Sequence, residues 1–400
     1  MAGYSQRVCR GAACSALFIV CVAFSCAANA AGQRNSPPKQ RLPRPEELGR
    51  GYVLKRDPAT GELLRVPVKT PGEAPGPESA APATIRAQVN LVEVACNVLA
   101  PDGSNVRGLS AQDFRVYEDG VPQSIAHFDA SSEPASIVLV LDASPSIYRE
   151  LAQMKSAARA LSEKLSPLDE IAVVSFSAQA HLLLPFSRDR AQLEKALDSE
   201  ALAKVENSSQ SHIYEAVYRA AVELFGGRTG RKAIVLLTDG EDDGLGLTWD
   251  PASAEPKPGR QADRLTFDDV ARALSSRSVA TYIVSTQLRP KAMTETWLAQ
   301  HSGVSLISDK TRELGVPPYT AYLAELVRRA GGQLYFLREI GTLSEVYARI
   351  AQTLSSQYVL GYYSSAPEVR PGWHALRIDV GEHMEMRVIH RSSYYLPASQ

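Results

Sequence analysis

The sequence predicts an α/β fold: a doubly wound, mostly parallel sheet with helices on both faces, flanked by a small β module that the N- and C-terminal segments form together. Short apolar runs such as Ile137–Leu141 are typical of parallel strands covered on both faces. Stretches with helical spacing of apolar residues alternate with these runs from Ser136 to Leu354. Alternation of apolar and polar residues before and after this region predicts the β module.

The composition is that of a globular chain with an ordinary core. A length of 400 residues fits two or three modules, and 44% hydrophobic against 22% charged residues allows a sizeable core to be buried. A formal net charge of −1 argues against nucleic acid as the main partner, because phosphate binding needs an excess of basic surface. The short basic runs Arg228–Lys232 and Arg387–Arg391 are interpreted as solvated faces.

The N-terminus has the layout of a secretory signal peptide. Arg7 and Arg10 precede an apolar stretch, and Ala28 and Ala30 supply small residues for cleavage after Ala30. The apolar stretch is shorter than the roughly 20 residues of a membrane span. We therefore expect residues 1–30 to be removed, leaving a mature chain without a transmembrane helix in the periplasm, at the cell surface or outside the cell. An uncleaved anchor is the alternative.

Cysteine use predicts no disulfide framework in the mature chain. Of the five cysteines, only Cys96 lies outside residues 1–30. A lone thiol cannot cross-link its own chain, so stability must come from the core and from metal. Cys96 lies between Val94 and Val98 in a strand-like run, where we expect it to be buried.

Residues 31–83 are predicted to be a largely disordered linker. Prolines recur from Pro37 to Pro82 without sustained periodicity, so this segment cannot bury enough apolar surface to offset its ordering entropy. A short ordered piece around Tyr52–Val68 is the one exception expected.

The two β segments are predicted over residues 84–132 and 355–400. In the first, strands are predicted at Ile85–Val94, Phe114–Glu118 and Ser124–Phe128. In the second, the apolar run Gln357–Tyr363 is followed by two alternating stretches. Because the two segments flank one α/β domain, we expect them to pair with each other.

The α/β domain is predicted over residues 135–354. Its strands are predicted at Ile137–Leu141, Ile171–Phe176, Leu182–Leu184, Ala233–Leu237, Val279–Val284 and Gln333–Phe336. Its helices are predicted at Ile147–Leu165, after Ser187, and at Ile213–Leu224, Phe267–Leu274, Tyr319–Arg329 and Leu343–Leu354. In such a sheet, ligands bind beyond the carboxyl ends of the strands, where the strand order reverses.

Acidic and hydroxyl residues follow two of these strands directly. The first strand leads into Asp142, Ser144 and Ser146, and the strand Ala233–Leu237 leads into Asp239. If the two strands are neighbours, the carboxylates converge and repel each other unless a cation lies between them. Oxygen ligands without thiol or imidazole suit Mg²⁺, Mn²⁺ or Ca²⁺ rather than zinc.

The motif Asp142-x-Ser144-x-Ser146, with Thr238-Asp239-Gly240 later in the chain, resembles the metal-ion-dependent adhesion site of von Willebrand factor A (VWA) and integrin I domains. The resemblance covers roughly Ser136 to Leu354 and implies a VWA, Rossmann-like fold. It also implies that two serines and a threonine ligate the metal directly, while the two aspartates act mostly through water. Ser211 stands where the threonine is usual, and Pro145 replaces a common glycine.

The flanking segments resemble those of exported bacterial VWFA-related proteins, best known from Acidobacteria. The stretches Asp113–Gly120 and Gln357–Tyr362 carry this part of the resemblance.

The resemblance implies a protein-binding module rather than an enzyme, with no catalytic residue and no small-molecule substrate. Mg²⁺ or Mn²⁺, with Ca²⁺ less expected, would capture an Asp or Glu side chain of a protein partner. The metal-site residues would be Asp142, Ser144, Ser146, Ser211 and Asp239, with Glu241 and Asp242 as secondary candidates. The loops 242–265 and 287–318 would surround the metal, and Trp249 and Trp297 on them are candidate partner contacts.

Several alternatives stay open at this stage. Asp142, Ser144 and Ser146 could be a helix N-cap cluster, Glu241–Asp243 could be a solvated acidic loop, and the two long loops could be tolerated surface insertions. The spacing from Asp239 to Asp250 nearly matches an EF-hand loop, although an apolar strand precedes it. In function, the alternatives are an envelope scaffold with an inert or purely structural metal site, and a hydrolase with an unfamiliar site.

Overall fold

The computed structural model describes residues 46–49, 52–57, 63–67, 91–130, 133–147, 150–199, 202, 210–245, 247–249, 256–258, 265–294, 297, 313–337, 342–364, 370–381 and 386–397. The predicted signal peptide and much of the predicted linker lie outside these residues. No helix within the described ranges is long and apolar enough to cross a membrane.

The described elements are strands and helices in the following order. The strands are β1 Glu46–Glu47, β2 Tyr52–Arg56, β3 Leu63–Pro67, β4 Leu91–Leu99, β5 Phe114–Glu118, β6 Val121–Gln123, β7 Ile125–Asp129, β8 Ala135–Asp142, β9 Glu170–Phe176, β10 Ala180–Ser187, β11 Arg231–Thr238, β12 Leu247–Trp249, β13 Pro256–Pro258, β14 Val279–Ser285, β15 Leu334–Phe336, β16 Tyr358–Tyr363, β17 Gly372–Val380, β18 Arg387–His390 and β19 Ser393–Leu396. The helices are α1 Leu151–Lys164, α2 Arg190–Leu197, α3 Ile213–Arg219, α4 Phe267–Ser276, α5 Pro318–Ala330 and α6 Leu343–Leu354.

A central sheet orders its described strands β1-β10-β9-β8-β11-β14-β15. Strands β9, β8, β11, β14 and β15 run parallel. At one edge, β10 runs antiparallel to β9, and β1 runs antiparallel to β10. The chain moves outward from β8 to β10 and then returns to β11 on the other side of β8. The strand order therefore reverses between β8 and β11, which is where a doubly wound sheet places its ligand.

Both faces of this sheet are covered, as the apolar run in β8 predicts. Ile137, Leu139 and Leu141 point into a core formed with α1, α2 and α6. Val138 and Val140 point into the opposite core, formed with α3, α4 and α5. The predicted fold class, a mostly parallel sheet with helices on both faces, is confirmed.

Helix α3 is shorter than predicted and continues as a π-helical turn over Ala220–Leu224. Ala220, Ala221 and Val222 are consecutive and all buried. The buried face of α3 therefore continues through the π-helical turn.

The β segments form two four-stranded sheets with the orders β18-β4-β16-β7 and β19-β17-β5-β6. Strand β16 pairs antiparallel with β4 on one side and β7 on the other, and β17 pairs with β5. Each sheet thus contains strands from both ends of the chain. Their shared core includes Val94, Val98, Leu360 and Ile378, and Cys96 is buried within it.

The structure describes three strands within the predicted linker 31–83. Strands β2 and β3 form a hairpin that lies inside the short ordered piece expected around Tyr52–Val68. Leu54 and Leu63 of this hairpin pack against the core formed with α3 and α4. The Tyr52 hydroxyl donates to Glu223 at 2.5 Å, and Arg56 pairs with Asp269 at 2.5 Å. The prediction of disorder is wrong for β1, which pairs with the distant edge strand β10 and therefore leaves no signal in the local composition.

Candidate metal centre

Strands β8 and β11 deliver the predicted acidic residues to one edge of the sheet. The two strands are parallel neighbours, with Leu141 beside Leu237. Asp142 ends β8, and Thr238 ends β11 immediately before Asp239. Both motifs therefore lie at the carboxyl end of the sheet, beside the reversal of strand order.

Asp142 is the most deeply buried acid of this edge, at 1% exposure. One of its carboxylate oxygens accepts a hydrogen bond from the Ser144 backbone N–H at 2.9 Å, and the other accepts one from the Thr238 hydroxyl at 2.9 Å. Burial raises the pKa of Asp142 to about 6, and the charge of Asp239 contributes to that rise against the opposing hydrogen bonds. The site thus holds interacting carboxylates in a desolvated place, where a cation would relieve their repulsion.

Ser144 and Ser146 lie on the loop that leaves β8, with their hydroxyl oxygens 3.0 Å apart. The helix-cap explanation for this loop is wrong. Helix α1 begins only at Leu151, its N-cap residue is Glu150, and no side chain caps it through a hydrogen bond. The hydroxyls of Ser144 and Ser146 therefore do not cap the N-terminus of α1.

Ser211 is held in place by the loop that follows β11. Its backbone N–H donates to the Asp243 carboxylate at 2.9 Å, and the Asp243 N–H donates back to the Ser211 carbonyl at 2.7 Å. The Ser211 hydroxyl is buried and has no hydrogen-bond partner among the described residues. Leaving a buried hydroxyl unsatisfied costs about 1–3 kcal/mol. A hydroxyl oxygen in this condition is suited to bind a hard cation.

The Thr238–Asp239–Gly240 turn fixes the other side of the site. The Thr238 hydroxyl accepts from the Gly240 N–H at 3.0 Å while donating to Asp142, so it links the two strands. One Asp239 oxygen accepts from the Glu241 N–H at 3.0 Å. Gly240 has φ of +90°, and a Cβ there would lie 2.9 Å from the Leu323 side chain. Only glycine fits this turn without strain.

The acidic residues after Asp239 have separate roles. Both Asp242 carboxylate oxygens accept backbone hydrogen bonds, from Tyr214 at 3.3 Å and from Leu245 at 2.8 Å, so this buried acid anchors the first turn of α3. Burial raises the pKa of Asp242 to about 6. Glu241 is exposed as a whole residue. Partial burial of its carboxyl group, together with the charges of Asp239 and Asp243, raises the pKa of Glu241. Of the two secondary candidates, Glu241 is the one whose carboxylate is accessible.

The sequence does not predict the backbone hydrogen bonds between Asp243 and Ser211, or the hydrogen bond from Thr238 to Asp142. Asp243 and Thr238 both belong to the motifs recognised in the sequence, but their hydrogen-bond partners could not be inferred from it. The EF-hand alternative is wrong, because Asp239 directly follows strand β11 rather than a helix.

The two candidate rim aromatics lie on the long loops. Trp249 is the last residue of β12, which pairs with β13 in a two-stranded hairpin; its side chain lies outside the description. Trp297 packs against a small buried cluster that contains Met293 and Val316. This cluster also contains Ala321 and Ala324, so the described parts of the loop pack against α5.

Comparison with known protein families finds one match within this chain. Residues 137–241 match the von Willebrand factor type A domain. The matched range includes most of β8, the loop with Ser144 and Ser146, Ser211 and the Thr238–Asp239 turn.

Similar solved structures include an aerotolerance-related membrane protein from Bacteroides fragilis, with 17% identity and a TM-score of 0.37 over 54% of this chain and 98% of that one. Proximal thread matrix protein 1 from the mussel byssus, with a zinc-occupied MIDAS motif, has 17% identity and a TM-score of 0.39 over 58% and 48%. The vWF domain of the type V pili tip protein Mfa5 from Porphyromonas gingivalis has 14% identity and a TM-score of 0.37 over 56% and 96%. The family match and the parallel sheet agree: this chain contains a von Willebrand factor type A domain.

Proposed function

We propose that the protein is an exported binding module that captures an acidic group of a protein partner through a divalent metal, Mg²⁺ or Mn²⁺. The hydroxyls of Ser144, Ser146 and Ser211 would hold the metal directly, and Asp142 and Asp239 would hold it through water. The observation that carries this proposal is the Ser211 hydroxyl, which is buried and has no hydrogen-bond partner among the described residues, on a chain that also brings two interacting carboxylates, Asp142 and Asp239, to one sheet edge.

The choice of metal follows from the donor set. The proposed direct ligands are hydroxyl oxygens, and Asp142 and Asp239 supply negative charge. This combination suits a hard cation. Mg²⁺ takes about six ligands. Three protein hydroxyls leave places for water and for one incoming group.

The expectation that the partner contributes an acidic group comes from the negative charge at this edge of the sheet. Without a cation, Asp142, Asp239 and Glu241 would repel a carboxylate. When a cation is bound and some of its coordination positions are free, an Asp or Glu side chain of a partner becomes a suitable ligand. Metal affinity and partner affinity should therefore be linked, each raising the other.

The place of action rests on the signal-peptide pattern of residues 1–30, and we propose the periplasm, the cell surface or the medium. The relation to acidobacterial-type VWFA-related proteins remains a prediction from the flanking motifs Asp113–Gly120 and Gln357–Tyr362.

Calorimetric titration with Mg²⁺ tests the metal site. Wild type should bind with a measurable heat that Asp142→Ala loses. The matched control is Asp102→Ala, an exposed acid in the turn after β4 that bonds only to Ser104. Equal Mg²⁺ affinity in wild type and Asp142→Ala would refute the site.

A second experiment separates partner capture from a metal that only stabilises the fold. The mature chain is immobilised and exposed to an envelope or secreted fraction in Mg²⁺, in EDTA, and in Mg²⁺ with Asp142→Ala. We expect a protein retained only by wild type in Mg²⁺, and loss of its binding when its contacting Asp or Glu is changed to the amide. Mg²⁺-dependent stabilisation without any metal-dependent partner would support the structural alternative.

A further inference from the structure

A second cluster of potential metal ligands lies in the β module, where the β5–β6 turn meets β17. Glu118 ends β5, Asp119 stands in the turn, and His374 lies on β17. The turn is fixed from both sides: the Asp119 N–H donates to the Ala375 carbonyl at 2.9 Å, and the Ala375 N–H donates to the Asp119 carboxylate at 2.7 Å. The three side chains are therefore held by backbone pairing between the N- and C-terminal segments.

The hydrogen bonds of His374 define which ring nitrogen is available. Its Nε2 lies 2.7 Å from the Arg370 carbonyl oxygen, which can only accept, so Nε2 carries a proton. Its Nδ1 lies 2.8 Å from an Asp119 carboxylate oxygen and 3.9 Å from a Glu118 carboxylate oxygen. Two negative groups thus face one ring nitrogen. A positive species must lie between them, either a second proton on the ring or a metal ion.

Glu118 is the buried member of the cluster. Its side chain is only 3% exposed. The carboxylate oxygen that faces His374 accepts from the Ser364 hydroxyl at 2.7 Å. The Tyr362 and Tyr394 hydroxyls lie beside the same carboxylate, and burial together with Glu118 raises the pKa of both. A buried carboxylate is costly to hold in its charged form, and a cation beside it would compensate that cost.

We propose that Glu118, Asp119 and His374 Nδ1 form a second metal site, separate from the edge of the central sheet, for Zn²⁺ or a similar divalent transition metal. One ligand atom from each residue lies within 4.8 Å of the others. An imidazole with two carboxylates suits zinc better than Mg²⁺. A histidine that ligates through one nitrogen and donates its other N–H to a backbone carbonyl has the usual support for a metal ligand.

The surroundings allow an ion to enter and remain. The Asp119 side chain is 52% exposed, so the cluster is open to solvent on that side. Glu118 and the stacked ring of Tyr394, 5.2 Å from the His374 ring, close the other side. Three protein ligands leave a fourth place for water. A bound ion would join β5 to β17, and so the N-terminal segment to the C-terminal one.

The test uses Zn²⁺ as the probe, on the full mature chain stripped with EDTA. All measurements are made in the Asp142→Ala background with excess Mg²⁺, so that zinc at the sheet edge does not contribute. Zn²⁺ affinity is measured by competition with a chromophoric chelator, and Co²⁺ is added separately to record its ligand-field absorption. The variants are Asp119→Asn, which keeps the turn conformation and the bond from Ala375, and His374→Gln. The matched control is His127→Gln, an exposed histidine on β7.

We expect one equivalent of Zn²⁺, with affinity at least about tenfold weaker in Asp119→Asn and His374→Gln and unchanged in His127→Gln. The Co²⁺ spectrum should show tetrahedral coordination that Asp119→Asn abolishes. If His374→Gln fails to fold, Asp119→Asn alone decides. An Asp142→Ala background that takes up no Zn²⁺, or equal uptake by Asp119→Asn, overturns the proposal and leaves a protonated histidine between two carboxylates.

Discussion

At the scale of the residue, Ser211 makes two predictions of opposite sign. Because its hydroxyl is buried and finds no partner in the described part of the chain, Ser211→Ala should stabilise the metal-free protein by up to about 1 kcal/mol. The same change should weaken Mg²⁺ binding at least about tenfold, since it removes a direct ligand. Urea denaturation in EDTA measures the first effect and calorimetry the second.

Two further variants make the Ser211 experiment specific. Ser211→Thr keeps the hydroxyl and should bind Mg²⁺ nearly as wild type does. Ser162→Ala, a buried serine on α1 whose hydroxyl donates to the Arg159 carbonyl at 2.8 Å, should leave Mg²⁺ affinity unchanged. A Ser211→Ala protein that binds Mg²⁺ like wild type would remove Ser211 from the site.

His390 should make the β module sensitive to acid. The Ile378 N–H donates to its Nε2 at 3.3 Å, and its Nδ1 lies 2.6 Å from the Arg391 carbonyl, so the neutral ring is satisfied on both nitrogens. Burial lowers the pKa of His390 below its usual value. The unfolded chain then binds a proton first, so stability is full above about pH 6.5 and is lost as the pH falls towards the folded pKa.

The His390 contribution can be isolated by difference. The free energy of unfolding is measured from pH 8 to pH 5 for wild type, His390→Gln and the exposed control His127→Gln. The decline of wild type relative to His390→Gln should appear as the pH falls below about 6.5, and His127→Gln should follow wild type. Parallel curves for wild type and His390→Gln would contradict the prediction.

The sequence predicts which residues stand at the metal edge but not what each acid does. Asp239, Asp242 and Asp243 are indistinguishable as a run of carboxylates. The turn at Gly240 decides that Asp242 bonds to the backbone of α3 and that Asp243 bonds to Ser211. Such assignments depend on backbone torsions, which a list of residue types does not contain.

At the scale of the element, the β2–β3 hairpin should contribute measurably to stability through one ion pair. Arg56 and Asp269 are 2.5 Å apart and largely shielded from solvent. Arg56→Ala should cost about 1–2 kcal/mol, because it leaves a buried carboxylate without its cation. The control is Arg377→Ala, whose pair with Asp379 is exposed and should contribute well under 1 kcal/mol. Similar losses in the two variants, measured by chemical denaturation, would show that the hairpin contact is unimportant.

Periodicity predicts elements well where the local pattern and the final burial agree. Strand β8 is apolar throughout and buried on both faces, so its prediction needs no knowledge of the partner strands. Strand β1 is the opposite case, because it lies in a segment predicted to be disordered and its order depends on pairing with the distant strand β10. The π-helical turn after α3 is also invisible to a search for helical spacing.

At the scale of the whole molecule, the β module should depend on the C-terminal segment while the central sheet does not. Strand β4 lies between β18 and β16, and both neighbours come from residues after 355. A chain that ends at residue 354 should therefore lose amide-exchange protection throughout residues 91–129.

The same truncation carries an internal control. None of the described strands of the central sheet comes from the deleted segment. Protection in β8 and β11 and the Mg²⁺ affinity should therefore be retained within about threefold. Continued protection of β4 in the truncated chain would contradict the prediction.

The entry and exit of the α/β domain lie on adjacent strands. Strand β7 leads into β8, α6 leads into β16, and Asp129 of β7 is the register partner of Val359 of β16. The whole span from 135 to 354 therefore leaves the β module and returns to it across a gap of one strand spacing, about 5 Å. Within the ladder of β7 and β16, this span takes the position of a very long hairpin loop. A folded domain whose termini lie that close together could join β7 to β16 in the same way, at the loss of the hydrogen bonds that Ser275 and Arg328 form with residues 391–395.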